Sequence, residues 1–365
     1  MPDCKLNMLK KLDIYIIKKF LGTFFFALGL IILVSVVFDF SEKIDDFIEK
    51  QAPFKAIVFE YYLNFIPYFS NLFSFLFVFI AVIFFTSKMA IHTEIIAILS
   101  CGISYRRLMV PYFVGASIIA ILSFFLGHYV IPHSNIGRLK FEEQYFKKQY
   151  RSPEKHIHRQ VAPGVFVYLD NYNVRADHGS KFAMEHFENG QLVSKMMADY
   201  IRWDSVNRKW NAHEYWIRNI DGLKETFKSG TKIDTAINMF PEEFKRAHTI
   251  VESMATPDLK DFIQEELSRG QSDKYYFIEL HRRTAAPFAV FILTIIGVSL
   301  SSRKIRGGMG MHIGFGIALS FSYILFMQVS KEFSISGDLK PMIAVWIPNF
   351  LFAVIALVLY KLAPK

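Results

Sequence analysis

The sequence predicts an α-helical polytopic membrane protein with six transmembrane helices and an inserted all-β domain. Three observations support this fold class. Hydrophobic residues make up 52% of the 365 residues, and they are concentrated in six long runs that contain no Asp, Glu, Lys or Arg. A polar segment, residues 133–279, separates the third run from the fourth. About 20 apolar residues in a helix cross a bilayer core of about 30 Å, and backbone groups in lipid must bond to one another.

The six runs are the predicted spans, in chain order. They are Phe20–Phe38, Tyr61–Ser87, Leu108–Ile131, Thr284–Ser302, Gly307–Ser330 and Pro341–Tyr360. Buried core helices of a large soluble protein are the alternative interpretation. Six runs of this length without a carboxylate, an ammonium or a guanidinium group disfavour it, because soluble helices of such length normally keep a polar face.

The placement of charge predicts the orientation. Thirteen Lys and Arg residues lie at the two termini and in the loops after the second and fourth spans, whereas five lie in the short loops on the opposite side. The positive-inside rule then predicts that both termini are cytoplasmic and that the insert is external. We therefore expect three parts: residues 1–132 with an interfacial helix and spans one to three, residues 133–279 as the external domain, and residues 280–365 with spans four to six.

The insert shows a helical start followed by strand signals. Val165–Leu169, Phe182–Phe187, Leu192–Trp203 and Trp210–Ile220 are rich in β-branched and aromatic residues, and Asn189-Gly190 is a turn signal between the second and third of these runs. This spacing predicts an antiparallel sandwich or open roll. Thr256-Pro257 then predicts the start of a helix that ends at Gly270.

The cytoplasmic segment His92–Arg107 predicts a short helix. Thr93-Glu94 can start it and Gly102 can end it, and the isoleucines and leucine between them share one face. The helix either lies on the membrane surface or docks its apolar face into a groove of a cytoplasmic partner. The candidate contact residues are Glu94, Ile95, Ile98, Leu99, Arg106 and Arg107.

Span five carries a ridge of small residues. Gly310, Gly314, Ala318 and Ser322 recur every four residues, a spacing that permits close helix–helix approach in lipid. Static packing is one interpretation, and a separating interface that serves as a gate is the other.

The outer ends of spans one and three have an aromatic and basic rim. Its members are Phe38, Phe40, Lys43, Arg138 and Lys140. Such a rim either anchors the helices at the interface or holds an amphiphile with an acidic headgroup. We place the candidate lipid cavity and gate at this rim together with Gly310, Gly314 and Ala318.

Several chemistries are disfavoured. The sequence contains no G-x-x-x-x-G-K-[ST] motif, so the chain is not expected to hydrolyse ATP by that route. It shows no zinc-site spacing, and we expect no metal and no cofactor. A lipid-modifying enzyme is disfavoured because no paired carboxylates or histidine cluster lies near a span end. A secondary transporter is disfavoured by the lack of charge within the spans.

The whole chain resembles the lipopolysaccharide export permeases of Gram-negative inner membranes, the LptF/LptG type. The resemblance rests on Leu12–Phe20, on Thr93–Ala97 with Cys101–Ser104, and on the arrangement of three spans, a β domain and three spans. Arg282-Arg283 with Pro287, and Trp346-Ile347-Pro348, add to it. The opening of span one favours the LptG kind. However, Asp39 and Asp45 stand where that kind often places lysines.

The resemblance implies a role. Two related permease subunits form a heterodimer around a cavity that takes lipopolysaccharide from the outer leaflet, and a cytoplasmic ABC ATPase dimer drives extraction. The β domain, jellyroll-like in the family, passes the lipid to periplasmic bridge proteins. Glu94 and its neighbours would contact the ATPase, and spans one and five would form the lateral gate. A membrane-anchored scaffold whose external domain binds envelope proteins remains the alternative.

Overall fold

The computed structural model describes residues 10–146, 155–173, 176–205, 207–235, 237, 239–241, 248–268, 274–302, 308–337 and 339–363. The chain divides into two compact units, one formed by Met1–Phe146 with Phe277–Lys365 and the other by Lys147–Tyr276. The first unit is helical and the second contains the β-sheet. The third long helix continues unbroken to Tyr145 and belongs to the first unit. The predicted helix end at Gly270 lies outside the described residues.

Nine helices are seen among the described residues, here numbered in chain order. They are α1 Lys11–Glu49, α2 Phe54–Ile91, α3 Glu94–Ser100, α4 Tyr105–Tyr145, α5 His248–Ser253, α6 Thr256–Ser268, α7 Lys274–Ser301, α8 Gly308–Ser336 and α9 Pro341–Leu362. α2 and α4 each contain one π-helical turn, at Ile57–Tyr62 and Leu126–Val130. Such turns widen a helix locally and occur often at functional sites.

Five of these helices are long and apolar enough to cross a membrane, judged by length and composition among the described residues: α1, α2, α4, α7 and α9. α8, which contains the fifth predicted span, is a continuous helix of 29 residues but is not among the five. A helical protein of the membrane type is therefore confirmed, and the count of six spans stays a prediction.

The core of the helical unit lies where α1, α2 and α4 meet. Phe20 and Phe24 of α1 are buried against Val82 and Phe85 of α2 and Tyr112 of α4. A second cluster joins α2 to α7, α8 and α9. Gly316 and Gly297 allow close approach there, because a Cβ at Gly316 would lie 2.3 Å from Ile83 and one at Gly297 would lie 2.9 Å from Val82.

The second unit contains one antiparallel sheet in which the described strands follow one another in sequence order. The strands are β1 Lys155–Ala162, β2 Val165–Asn173, β3 His178–Glu188, β4 Gln191–Asp204, β5 Lys209–Asp221 and β6 Lys224–Thr235. The four predicted strands correspond to β2–β5, and Asn189-Gly190 forms the predicted turn with both residues at positive φ. The jellyroll arrangement is not confirmed, since the described strands form a single meander.

The sheet has one buried face. Val167 and Leu169 alternate with more exposed neighbours along β2, and Trp210 is fully buried with its indole N–H donating to the Met239 carbonyl at 2.7 Å. α6 begins at Thr256 as predicted and buries Leu259 and Ile263. An all-β insert with a helix after it is thus confirmed.

Candidate functional site

The short helix α3 is the first candidate region. Thr93 precedes it with a left-handed backbone at φ +63°, and Gly102 follows it at φ +80°. Glycine adopts this conformation without a steric penalty and commonly ends helices. Both ends of α3 therefore lie where the sequence predicted them.

The apolar face of α3 packs inward. Ile95 is only 1% exposed and belongs to the same buried cluster as Phe85 and Leu108. Ile98 and Leu99 are partly buried against that cluster. The core of this chain therefore covers Ile95 almost completely and covers part of the surface of Ile98 and Leu99.

A different set of α3 residues faces outward. Ile96 is 52% exposed, and Ala97 and Ser100 are exposed beside it. Glu94 is half-buried and Arg106 is exposed. The sequence pattern missed Ile96, because one turn of an amphipathic helix does not show which of two apolar neighbours meets the core.

Arg107 pairs within the chain. Its Nη1 donates to Asp13 Oδ1 at 2.8 Å and its Nη2 donates to Asp13 Oδ2 at 2.5 Å. The Asp13 side chain is 4% exposed and that of Arg107 is 38% exposed. A two-pronged contact between guanidinium and carboxylate is among the stronger hydrogen-bonded pairs in proteins. It joins the first turn of α1 to the first turn of α4, the helix that follows α3 in the chain.

The charge state of this pair follows from its surroundings. Burial acts to raise the pKa of the Asp13 carboxyl, but hydrogen bonds from Arg107 and from the Lys10 backbone N–H outweigh it, so the pKa lies below its ordinary value. Asp13 therefore stays ionised at physiological pH. Sequence reasoning missed Asp13, although it is the one acidic residue in the lysine-rich stretch Lys10–Lys19.

Glu94 is the remaining charged candidate on α3. Burial raises the pKa of the Tyr15 hydroxyl above its ordinary value, and the adjacent Glu94 carboxylate adds to the effect. Glu94 therefore lies close to α1 as well as at the edge of the outward face of α3.

The opposite end of α1 holds a second polar cluster, which we call the outer cluster: Asp39, Lys43, Tyr61 and Tyr62. Lys43 Nζ donates to Asp39 Oδ1 at 2.5 Å and to the Tyr61 hydroxyl. The Tyr61 and Tyr62 hydroxyls donate to the two Asp39 oxygens, each at 3.2 Å. The Lys43 ammonium also lies 4.8 Å from the Tyr61 ring centroid and 5.1 Å from that of Phe146. Lys43, predicted to face a lipid headgroup, is therefore enclosed by groups of this chain.

The other basic members of the predicted rim differ from each other. Arg138 is buried, its Nε lies 3.7 Å from Glu142 Oε1, and its guanidinium carbon lies 4.9 Å from the Tyr68 ring centroid. Lys140 is exposed. Among the three cations of the rim, Lys140 is thus the one whose side chain is open to solvent or lipid.

The aromatic members of the rim face outward. Phe38 is 73% exposed, and Phe40 is exposed with its ring centroid 5.8 Å from that of Phe47. Neighbouring apolar residues of α1 are exposed as well, including Leu33 and Val37. Large exposed apolar surface on a helix indicates lipid or another protein.

The ridge of small residues on α8 is also open. Gly310, Gly314, Ala318 and Ser322 are all exposed. A Cβ added at Gly310 or Gly314 would meet no atom within 4 Å. The ridge therefore does not pack against the described residues of this chain, which leaves its surface available to another helix.

No cluster of three or more potential metal-ligating side chains is found in the part of the chain that the structure describes. The site instead consists of one outward helix face, two polar clusters at the ends of α1, and two open apolar helix faces. None of these is arranged for covalent chemistry. They are suited to contacts with other proteins and with lipid.

No curated protein matches the sequence. Residues 14–362 match the family model described as lipopolysaccharide export system permease LptF/LptG. The match covers all the long helices and the sheet. The chain belongs to the LptF/LptG family of lipopolysaccharide export permeases, which makes it an inner-membrane transport subunit of the lipopolysaccharide export complex.

Proposed function

We propose that this chain is one of two paralogous permease subunits that together extract lipopolysaccharide from the outer leaflet of the inner membrane. A cytoplasmic ABC ATPase dimer supplies the energy, and periplasmic bridge proteins receive the lipid. Membership in the permease family carries this proposal. The sequence supports it by the lack of a Walker-type phosphate loop, and the open small-residue ridge supports a second membrane subunit.

The proposed orientation follows from charge. With six spans, the basic residues near the beginning of α1, near the beginning of α4 and near the end of α9 are cytoplasmic, and the β unit is periplasmic. α3 then faces the cytoplasm, where an ATPase can reach it. The LptG-type identity of the subunit stays a prediction.

The proposed coupling surface is the outward side of α3. Ile96, Ala97 and Ser100 contact the ATPase, with Glu94 and Arg106 at the edges. Ile95, Ile98 and Leu99 hold α3 on the core from behind. Arg107 acts through Asp13 as a positioning residue, since its guanidinium is engaged in the pair.

The proposed gate lies between α1 and α8 of opposite subunits. Phe38 and Phe40 provide apolar surface for acyl chains, and Gly310, Gly314 and Ala318 allow close helix approach. Lys140 is the basic residue of the rim placed to meet a headgroup phosphate, with Lys43 and Arg138 supporting the rim through their internal contacts. The β unit is the first station for the extracted lipid.

Charge reversal at Glu94 tests coupling. We expect Glu94→Lys to reduce co-purification of the ATPase and lipopolysaccharide release from vesicles by at least tenfold, because a charge in a desolvated interface contributes about 2 kcal/mol or more. Glu143→Lys, at an exposed position of α4 on the side predicted to be periplasmic, is the matched control and should leave both unchanged.

The same experiment separates the transporter from a scaffold. If Glu94→Lys leaves ATPase binding and lipid release at the level of the control, the coupling surface is not on α3. Purification without any second permease or ATPase, with envelope proteins bound to the β unit instead, would favour the scaffold.

A further inference from the structure

An open groove lies between the beginning of α1 and the end of α2. It has a cavity volume of about 430 Å³, and its α1 wall runs from Tyr15, Lys18 and Lys19 at one end to Phe26 at the other. Phe84 of α2 also lines it, next to Phe85, whose ring packs against Tyr15. The described lining contains no carboxylate. The groove thus has a cationic end and an apolar end.

The two ends are separated along α1. From Lys18 to Phe26 the helix rises by roughly 12 Å at 1.5 Å per residue. Both lysines are exposed, and Lys19 Nζ lies 5.9 Å from the Tyr15 ring centroid, so its ammonium is directed along the groove wall. This layout matches an amphiphile with an anionic head and a hydrocarbon tail. A small inorganic anion would leave the apolar end unused.

The middle of the groove is kept open by a glycine. A Cβ at Gly22 would meet no atom within 4 Å, so the position is empty space and not a close helix contact. The hydroxyl of the neighbouring Thr23 donates to the Lys19 carbonyl at 2.8 Å. Its hydrogen-bonding capacity is therefore largely used within α1 and is not directed into the channel. A hydrocarbon chain can therefore pass from the lysines to Phe26 over Gly22.

We propose that this groove binds an anionic phospholipid of the cytoplasmic leaflet, with its phosphate at Lys18 and Lys19 and one acyl chain over Gly22 towards Phe26. The assignment to that leaflet rests on the proposed orientation, in which the two lysines directly precede the first span. The groove lies at the beginning of α1, whereas Phe38 and Phe40, proposed to meet the acyl chains of the exported lipid, lie towards its other end. The bound lipid would hold α1 and α2 together beside the coupling helix.

The test uses the full permease complex in nanodiscs, titrated with phosphatidylglycerol in a phosphatidylcholine background. Retained lipid is counted by native mass spectrometry. We expect Lys18→Gln with Lys19→Gln to weaken retention of phosphatidylglycerol at least tenfold, since each cation near an anionic surface contributes about fivefold. Gly22→Leu should reduce retention by filling the channel without a clash.

Each variant has a matched control. Lys11→Gln with Lys361→Gln removes two exposed charges from the same predicted side of the membrane but outside the groove. Gly29→Leu places the same side chain into open space seven residues further along α1. Both controls should retain phosphatidylglycerol as the unchanged complex does.

Four outcomes would overturn the proposal. The first is equal retention of phosphatidylglycerol in variants and controls, and the second is a loss of phosphatidylcholine as large as the loss of phosphatidylglycerol. The third is displacement of the bound lipid by millimolar inorganic phosphate. The fourth is release of the second permease by Gly22→Leu while lipid retention is unchanged. The last result would assign the groove to a partner helix. Lipid retention is measured separately from ATPase binding, so failure of the coupling proposal at Glu94 leaves this result interpretable.

Discussion

The two ends of α1 are held by different means. At the N-terminal end, called the inner end here because it is proposed to face the cytoplasm, Asp13 pairs with Arg107, which lies 94 residues away on another helix. At the outer end, Asp39 pairs with Lys43, which is four residues away on α1 itself. Both pairs join a carboxylate to a cation at 2.5 Å. Only the inner pair, however, joins α1 to a different helix.

This difference determines what must break when α1 moves. Lifting the inner end from α4 separates two opposite charges, one of which is buried. Lifting the outer end from α2 leaves the Asp39–Lys43 pair intact, because both partners move together. It costs the contacts of that pair with the Tyr61 and Tyr62 hydroxyls and the ring packing around Phe47. We therefore expect α1 to pivot at its inner end and to open at its outer end, as a gate to the outer leaflet requires.

Arg107→Ala should have the largest effect on this asymmetry. It leaves the Asp13 carboxylate buried without its partner, which we expect to cost about 1–3 kcal/mol of unfolding free energy. The measurement is the thermal unfolding midpoint of the purified subunit. Arg106→Ala, at the exposed neighbouring position, is the control and should shift it little. Equal shifts in the two variants would show that the pair does not fix the inner end.

Tyr61→Phe with Tyr62→Phe should have a smaller effect that is confined to the outer end. Side-chain hydrogen bonds between membrane helices contribute about 0.6 kcal/mol each, so the loss of the three that involve these hydroxyls costs at most about 2 kcal/mol. We expect faster amide exchange in residues 39–49 of α1 and unchanged exchange in residues 13–20. The converse pattern, or protection unchanged at both ends, would contradict a gate at the outer end.

The smallest expected effect is that of pH on the inner pair, which should be close to zero. A carboxyl whose pKa is lowered in the folded state contributes stability above its unfolded pKa of about 3.9 and loses it as the pH falls through the lower folded value. The difference in unfolding midpoint between the unchanged protein and Asp13→Asn should therefore be equal at pH 8 and at pH 5.5. A difference that shrinks at pH 5.5 would show that Asp13 titrates above its expected range.

Local patterns predicted much of the architecture. The long helices follow from uncharged runs of the length that a bilayer demands, and β2–β5 follow from β-rich segments bounded by turn residues. β1 and β6 were missed because their sequences are polar. β6 is exposed over nearly its whole length, so no apolar alternation marks it as a strand.

The candidate site was less predictable than the fold. The sequence placed α3 and its two ends, but it did not show that Ile95 packs on the core of this chain. It also offered Lys43 and Arg138 as headgroup contacts, and the structure pairs each with a nearby carboxylate. A charge in a sequence shows that a partner is needed, and the identity of that partner depends on residues brought together only by folding.

By itself, the sequence determined that the chain is a helical protein of the membrane type with an inserted β unit, because span length and strand signals depend on neighbouring residues along the chain. Only the tertiary structure decided which residues remain available to partners. Ile95 and Ile96 are adjacent and chemically identical, yet one is buried and the other is 52% exposed. Likewise, Asp13 meets Arg107 because two helices cross, and no periodicity in the sequence records that contact between residues so far apart.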